Sequence, residues 1–119
     1  MAETERLCAT KMNYQHQQLA NRRWNELSFM EQMANIGSEV ERTILWKEKN
    51  NLDYSQKAFE RALELLDLTI ADKKNKDRLK ELCRLREILV DYFFSNNQYG
   101  SSDQLWRNYF YPFNFVARI

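Results

Sequence analysis

From Met30 onwards the apolar residues recur at intervals of three and four, the spacing of one helical face, and the pattern is interrupted three times. Met30, Met33, Ala34, Gly37, Val40 and Ile44 share the face of a first helix expected over about residues 28–49. Ser28 and Glu31 stand at capping-box spacing at its start. The helix could instead begin near Asn21 and carry Trp24 and Leu27 with it. Gly37 costs about 1 kcal/mol relative to alanine inside a helix. Its place on the inward face suggests the close approach of a neighbouring helix, or simply a tolerated small residue.

Asp53 is a plausible N-cap for a second helix, whose inward face is Ala58, Phe59, Ala62, Leu63, Leu66, Thr69 and Ile70. The polar stretch ADKKNKD reads as a turn, with Asn75 or Asp77 capping a third helix striped by Leu79, Leu82, Leu85, Leu89 and Phe93. SNNQYGSS reads as a loop in which Gly100 suits a left-handed position. Ser101 and Gln104 form a further capping-box pair ahead of LWRNYFYPFNFVARI. The expectation is an all-α protein: a single up-down four-helix bundle over residues 21–119. Residues 1–20, rich in Gln and Asn, are expected to be an N-terminal arm, either frayed or a polar helical extension.

The fourth helix carries two apolar faces. Leu105, Tyr109, Pro112 and Val116 lie on one, and Trp106, Phe110, Phe113 and Ala117 on its neighbour. Pro112 removes a backbone donor and is expected to kink or end the helix. One chain cannot hide so much ring, so the surplus should contact a second chain or cover the N-terminal arm. Self-association is the favoured reading, with Trp46, Trp106, Phe110 and Phe113 as the contact surface. Trp46 projects away from the first helix's apolar face, and packing against the start of helix two is its alternative.

Composition agrees with this picture. The chain of 119 residues is long enough for one core, and with two glycines and one proline it has little punctuation for a many-stranded sheet. A net charge of +1 gives no global attraction to nucleic acid or anionic lipid. No apolar leader and no run of about 18 apolar residues is present, which suggests a soluble cytoplasmic protein with no membrane contact. Cys8 and Cys83, far apart and without metal-ligand spacing, read as reduced thiols.

Two charges fall on inward arcs, Glu41 on helix one and Arg86 on helix three. A buried lone charge is costly, so these residues or their helical neighbours are expected in internal ion pairs that fix registry; a polar pocket lined by both, or extension into solvent, is the alternative. Residues 73–86 hold seven basic and two acidic side chains. Lys73, Lys76, Lys80 and Arg84 would line one face if the helix ran through the turn, a candidate nucleic-acid contact. Glu60, Glu64 and Asp67 of helix two could equally neutralise that line. His16 is the only histidine and no glycine-rich loop exists, so no metal site, cofactor or catalytic residue is nominated. The reading is a non-catalytic interaction or assembly module.

NIGSEVERTI, FERALELLDLTIAD and RLKELCRLREILVDYF together resemble a family of small prokaryotic helical proteins without an assigned activity. More distantly, the chain is similar to the HEPN-like four-helix group of ribonuclease toxins and nucleotidyltransferase partners, and to intervening-sequence bundle proteins. HEPN ribonucleases carry Arg, often with a polar neighbour, and then His in the last helix. Arg107 and Asn108 match the beginning, but Pro112, Phe113 and Asn114 stand where the histidine would fall. The resemblance therefore implies a partner or toxin-pair protein without the catalytic group.

Overall fold

The computed structural model describes residues 23–118, and every regular element in that range is helical. A helical turn at residues 23–25 precedes α1 (Phe29–Glu48), α2 (Leu52–Ala71), a 3-10 helix (Lys73–Arg78), α3 (Leu79–Phe94) and α4 (Asp103–Arg118). The arm expected over residues 1–20 lies outside the described residues.

The helix ends follow local chemistry. At α1 the capping box is made: the Glu31 amide donates to Ser28 Oγ at 3.1 Å, and the Ser28 amide donates to Glu31 Oε1 at 3.0 Å. Those bonds hold the Glu31 carboxyl below its usual range. Asn50 then turns the chain at φ 61°, and Asn51, not Asp53, caps α2 by accepting from the Tyr54 amide. The left-handed Asn50 completes the reversal so early that Asp53 already lies in the first turn.

ADKKNKD is no open turn. Its lysines wind into the 3-10 helix, capped by Asp72, whose Oδ1 accepts from the Lys74 amide. Asn75, expected as a cap, is buried instead. Before α4 the cap is Ser102, which accepts from the Leu105 amide. Ser101 is held in the loop by reciprocal bonds with Asn97. Pro112 does not end α4, which continues to Arg118.

α1 packs chiefly against α2 and α4. Ser55 Oγ donates to the Thr43 carbonyl at 2.8 Å, and Trp24 Nε1 to Thr69 Oγ1 at 2.9 Å, so α1 and α2 run antiparallel. Contacts from Lys47 to Asp103, Glu41 to Arg107 and Phe29 to Phe113 give α4 the same sense against α1. Phe59 with Phe93, and Asp67 with Arg86, join α2 to α3.

Met33, Ile36, Val40, Ile44, Phe59, Leu66, Leu82 and Leu89 form the centre of the core. Each such side chain contributes about 1.5–3 kcal/mol by leaving water. One end of the core is polar. Gln32 Nε2 donates to Asp72 Oδ2 and to the Trp24 carbonyl, while Gln32 Oε1 accepts from Asn75 Nδ2. Asn75 Nδ2 also reaches the Thr69 carbonyl. Burial of these groups is tolerable because they bond to one another, although Asn75 Oδ1 has no partner among the described residues. Burial works against the Asp72 carboxylate, but bonds from Lys74 and Gln32 outweigh it and lower its pKa.

Candidate interaction surface

α4 turns one of its two apolar faces inward. Trp106 and Phe110 are only 2% and 5% exposed, and Phe113 is half-buried with its ring edge-on to Phe29. A Cβ added at Gly37 would meet Phe110 Cβ at 2.8 Å, so glycine is what allows α4 to lie this close to α1. Close approach, not mere tolerance, explains Gly37. It also corrects the expected contact surface: Trp106 and Phe110 are interior residues, unreachable by a partner. Trp46 is half-buried, edge-on to Tyr54 of α2 at 4.9 Å, with the Lys49 ammonium over its ring. Packing against the start of α2 therefore accounts for it.

The other face is turned to solvent. Leu105, Tyr109, Pro112 and Val116 are all exposed, flanked by Phe115 at 58% and Tyr111 at 67%. At 3.6 residues per turn the first four fall within about 60° of arc. No charged residue lies on that strip, although Asp103 and Arg107 belong to the same helix. Tyr111 lies further round the helix, over the α1 side; the strip with Phe115 presents on the order of 400 Å² of surface, counting an aromatic side chain as about 150–250 Å² and each side chain as roughly half exposed. That is as large as the largest patch of an ordinary monomer, about 300–600 Å².

The helix's charges serve the fold. Arg107 clamps Glu41 with both arms, Nε to Oε1 and Nη2 to Oε2, each at 2.9 Å. Glu48 lies 3.5 Å from the same Nη2. The Glu41 hydrogen bond leads the contributions that raise the guanidinium pKa further above its normal value. The pair lies in a groove of about 490 Å³ between α1 and α4, alongside Gly37, Phe110 and Tyr111. Arg107, the residue on which the HEPN-like comparison rests, is thus engaged between two helices.

Glu41 and Arg86 do not meet. Glu41 lies on the flank of α1 that faces α4, whereas Arg86 points to α2 and pairs with the almost wholly buried Asp67 at 2.8 Å. Each inward charge has an ion-pair partner, as expected, but the two do not pair with each other.

A second tie went unseen in the sequence. Lys47 Nζ is 3.0 Å from Asp103 Oδ1, Tyr92 OH donates to the same oxygen at 2.6 Å, and the ammonium sits over the Tyr92 ring. Three helices meet there. Burial opposes the charged form of both Lys47 and Asp103, yet their bonds win, raising the Lys47 pKa and lowering that of Asp103. Burial, followed by donation to Asp103, raises the Tyr92 phenol.

Lys73, Lys76, Lys80 and Arg84 are all exposed, in two short rows split between the 3-10 helix and α3. None has a carboxylate of the described residues within ion-pair distance, and Asp67, expected to help neutralise them, is held by Arg86. Among the described residues no group of three or more His, Cys, Asp or Glu side chains could hold a metal ion, and no helix is long and apolar enough to cross a membrane. No family model, curated protein or solved structure matches this chain.

Proposed function

We infer that this chain is a non-catalytic interaction and assembly module of the cytoplasm, an up-down four-helix bundle that docks a partner through the outward face of α4. The antiparallel packing of α1 with α2 and α4 supports the bundle. The observation that carries the docking role is the uncharged apolar strip Leu105, Tyr109, Pro112 and Val116, exposed on a chain otherwise rich in surface charge. The partner is a second copy or another protein. A HEPN-like partner role is compatible with it, since such a role needs docking and not the missing histidine.

Native mass spectrometry of the protein purified from its own cells tests this. The expected result is an assembly heavier than one chain, lost when Tyr109→Ser and Val116→Ser are introduced together. A wild-type protein that flies only as a single chain overturns it.

A second reading has its own support: the exposed cations Lys73, Lys76, Lys80 and Arg84, unpaired among the described residues, suit a phosphate backbone. It expects RNA or DNA binding that weakens steeply with salt and is reduced by Lys80→Glu. Absence of binding at low salt removes it.

A further inference from the structure

We propose that the occupant of the α4 strip is a second copy of this chain, packed antiparallel about a two-fold axis that passes between Tyr109 and Pro112. The proposal rests on the docking reading above and adds its partner and geometry.

The spacing of the strip carries the argument. Along the strip itself, positions 105, 109, 112 and 116 are separated by four, three and four residues, and from Val116 backward the steps are the same; Phe115 and Tyr111, also exposed, lie off that line. An isologous interface needs this symmetry, because residue i must meet j wherever j meets i. An antiparallel pairing then sets Leu105 against Val116 of the second copy, and Tyr109 against its Pro112. Each large side chain faces a smaller one, as close packing prefers. A parallel pairing would set Tyr109 on Tyr109 and Pro112 on Pro112, leaving a bulge beside a gap. Alternation of four and three is also the spacing of a coiled-coil seam, which crosses at about 20°.

Charge agrees. Two copies of one surface repel if that surface carries net charge; α4 itself puts none on this strip, and the one carboxylate beside it among the described residues is Glu81 of α3, which follows burial in raising the Tyr109 phenol. The charged neighbours Asp103 and Arg107 are engaged by Lys47 and Glu41 of their own chain. Antiparallel helices also set opposite dipole ends together. In area, two such strips bury less than about 1,000 Å² in total, below the lower bound of a stable specific interface, so the dimer should be weak and dissociate on dilution.

The test is cysteine pairing in the full chain. Leu105→Cys and Val116→Cys are made separately in a Cys8→Ser background; Cys83 stays, being buried. On mild oxidation the mixture of the two variants should give a covalent dimer joined 105 to 116, while each alone stays mostly single. Sedimentation of the unoxidised wild type should show a monomer–dimer equilibrium. Self-linking of Leu105→Cys alone overturns the antiparallel arrangement, and so does a sedimenting dimer without the 105–116 link. A strict monomer at every concentration overturns the second copy as partner. In that case a native complex that Tyr109→Ser with Val116→Ser dissolves keeps the docking reading alive, and no native complex ends both.

Discussion

The two apolar faces of α4 are built from similar residues and have opposite fates. Trp106, Phe110 and Phe113 turn to the core, while Leu105, Tyr109, Pro112 and Val116 stay partly open to water. Hydrophobicity alone does not separate them, since both faces are apolar along their whole length. The inward face holds the larger rings, and it meets the one place on α1 where a missing side chain lets a helix come close. Shape, more than greasiness, chooses which side is buried.

Truncation is the bluntest way to test that contrast. Phe110→Ala should lose about 3–5 kcal/mol in urea denaturation, because it leaves a cavity against Gly37. A loss under 1 kcal/mol would mean that α4 does not pack as described. Gly37→Ala comes next. On helix propensity alone it would gain about 1 kcal/mol. Against Phe110 it should instead destabilise by roughly 1–3 kcal/mol through overpacking. A stabilised variant would deny the close approach.

The Glu41–Arg107 clamp at the edge of the inward face matters less. Both side chains are about one-third exposed, and Glu41→Gln should cost at most about 1 kcal/mol. On the outward face the Tyr109 ring also leans on Trp106, Phe110 and Phe113, so Tyr109→Ser should lose on the order of 1 kcal/mol, well below Phe110→Ala, while association weakens. Equal losses from Phe110→Ala and Tyr109→Ser would erase the distinction between the faces.

The smallest effect is expected from pH. Asp103 has a lowered pKa when folded, so its contribution is present above the unfolded carboxylate value and fades as pH falls through the folded one. Lys47 and Tyr92 are raised, so theirs are full below their unfolded values and fade as pH climbs through the folded ones. Asp103→Asn should flatten part of the acid limb of the stability profile, measured by thermal unfolding. An unchanged limb would detach this tie from α4's anchoring.

Helical class, the four main segments and the capping box of α1 were legible because each rests on neighbours in sequence. Spacing of three and four fixes a helical face, and Ser28 meets Glu31 within one turn. What depended on distant neighbours was not legible. The two faces of α4 differ by about 100° of rotation, one residue's step, and only the Gly37–Phe110 fit decides between them. The sequence reading saw both faces and nominated Trp106 and Phe110, the buried pair. Glu41 and Arg86 each drew attention as inward charges needing partners, but partner choice depended on which helices adjoin. Gln32 gives no signal and Asn75 reads only as a helix cap, because amides look like surface residues until several segments close round them.

Those amides bear on how short the protein can be made. The Trp24 indole and carbonyl hold Thr69 and Gln32, so the turn before α1 is a plug in the base of the molecule, not a leader to be trimmed. A fragment beginning at Ser28 would keep α1 to α4 and still open its floor to water. The shortest piece able to fold by itself therefore starts upstream of that tryptophan.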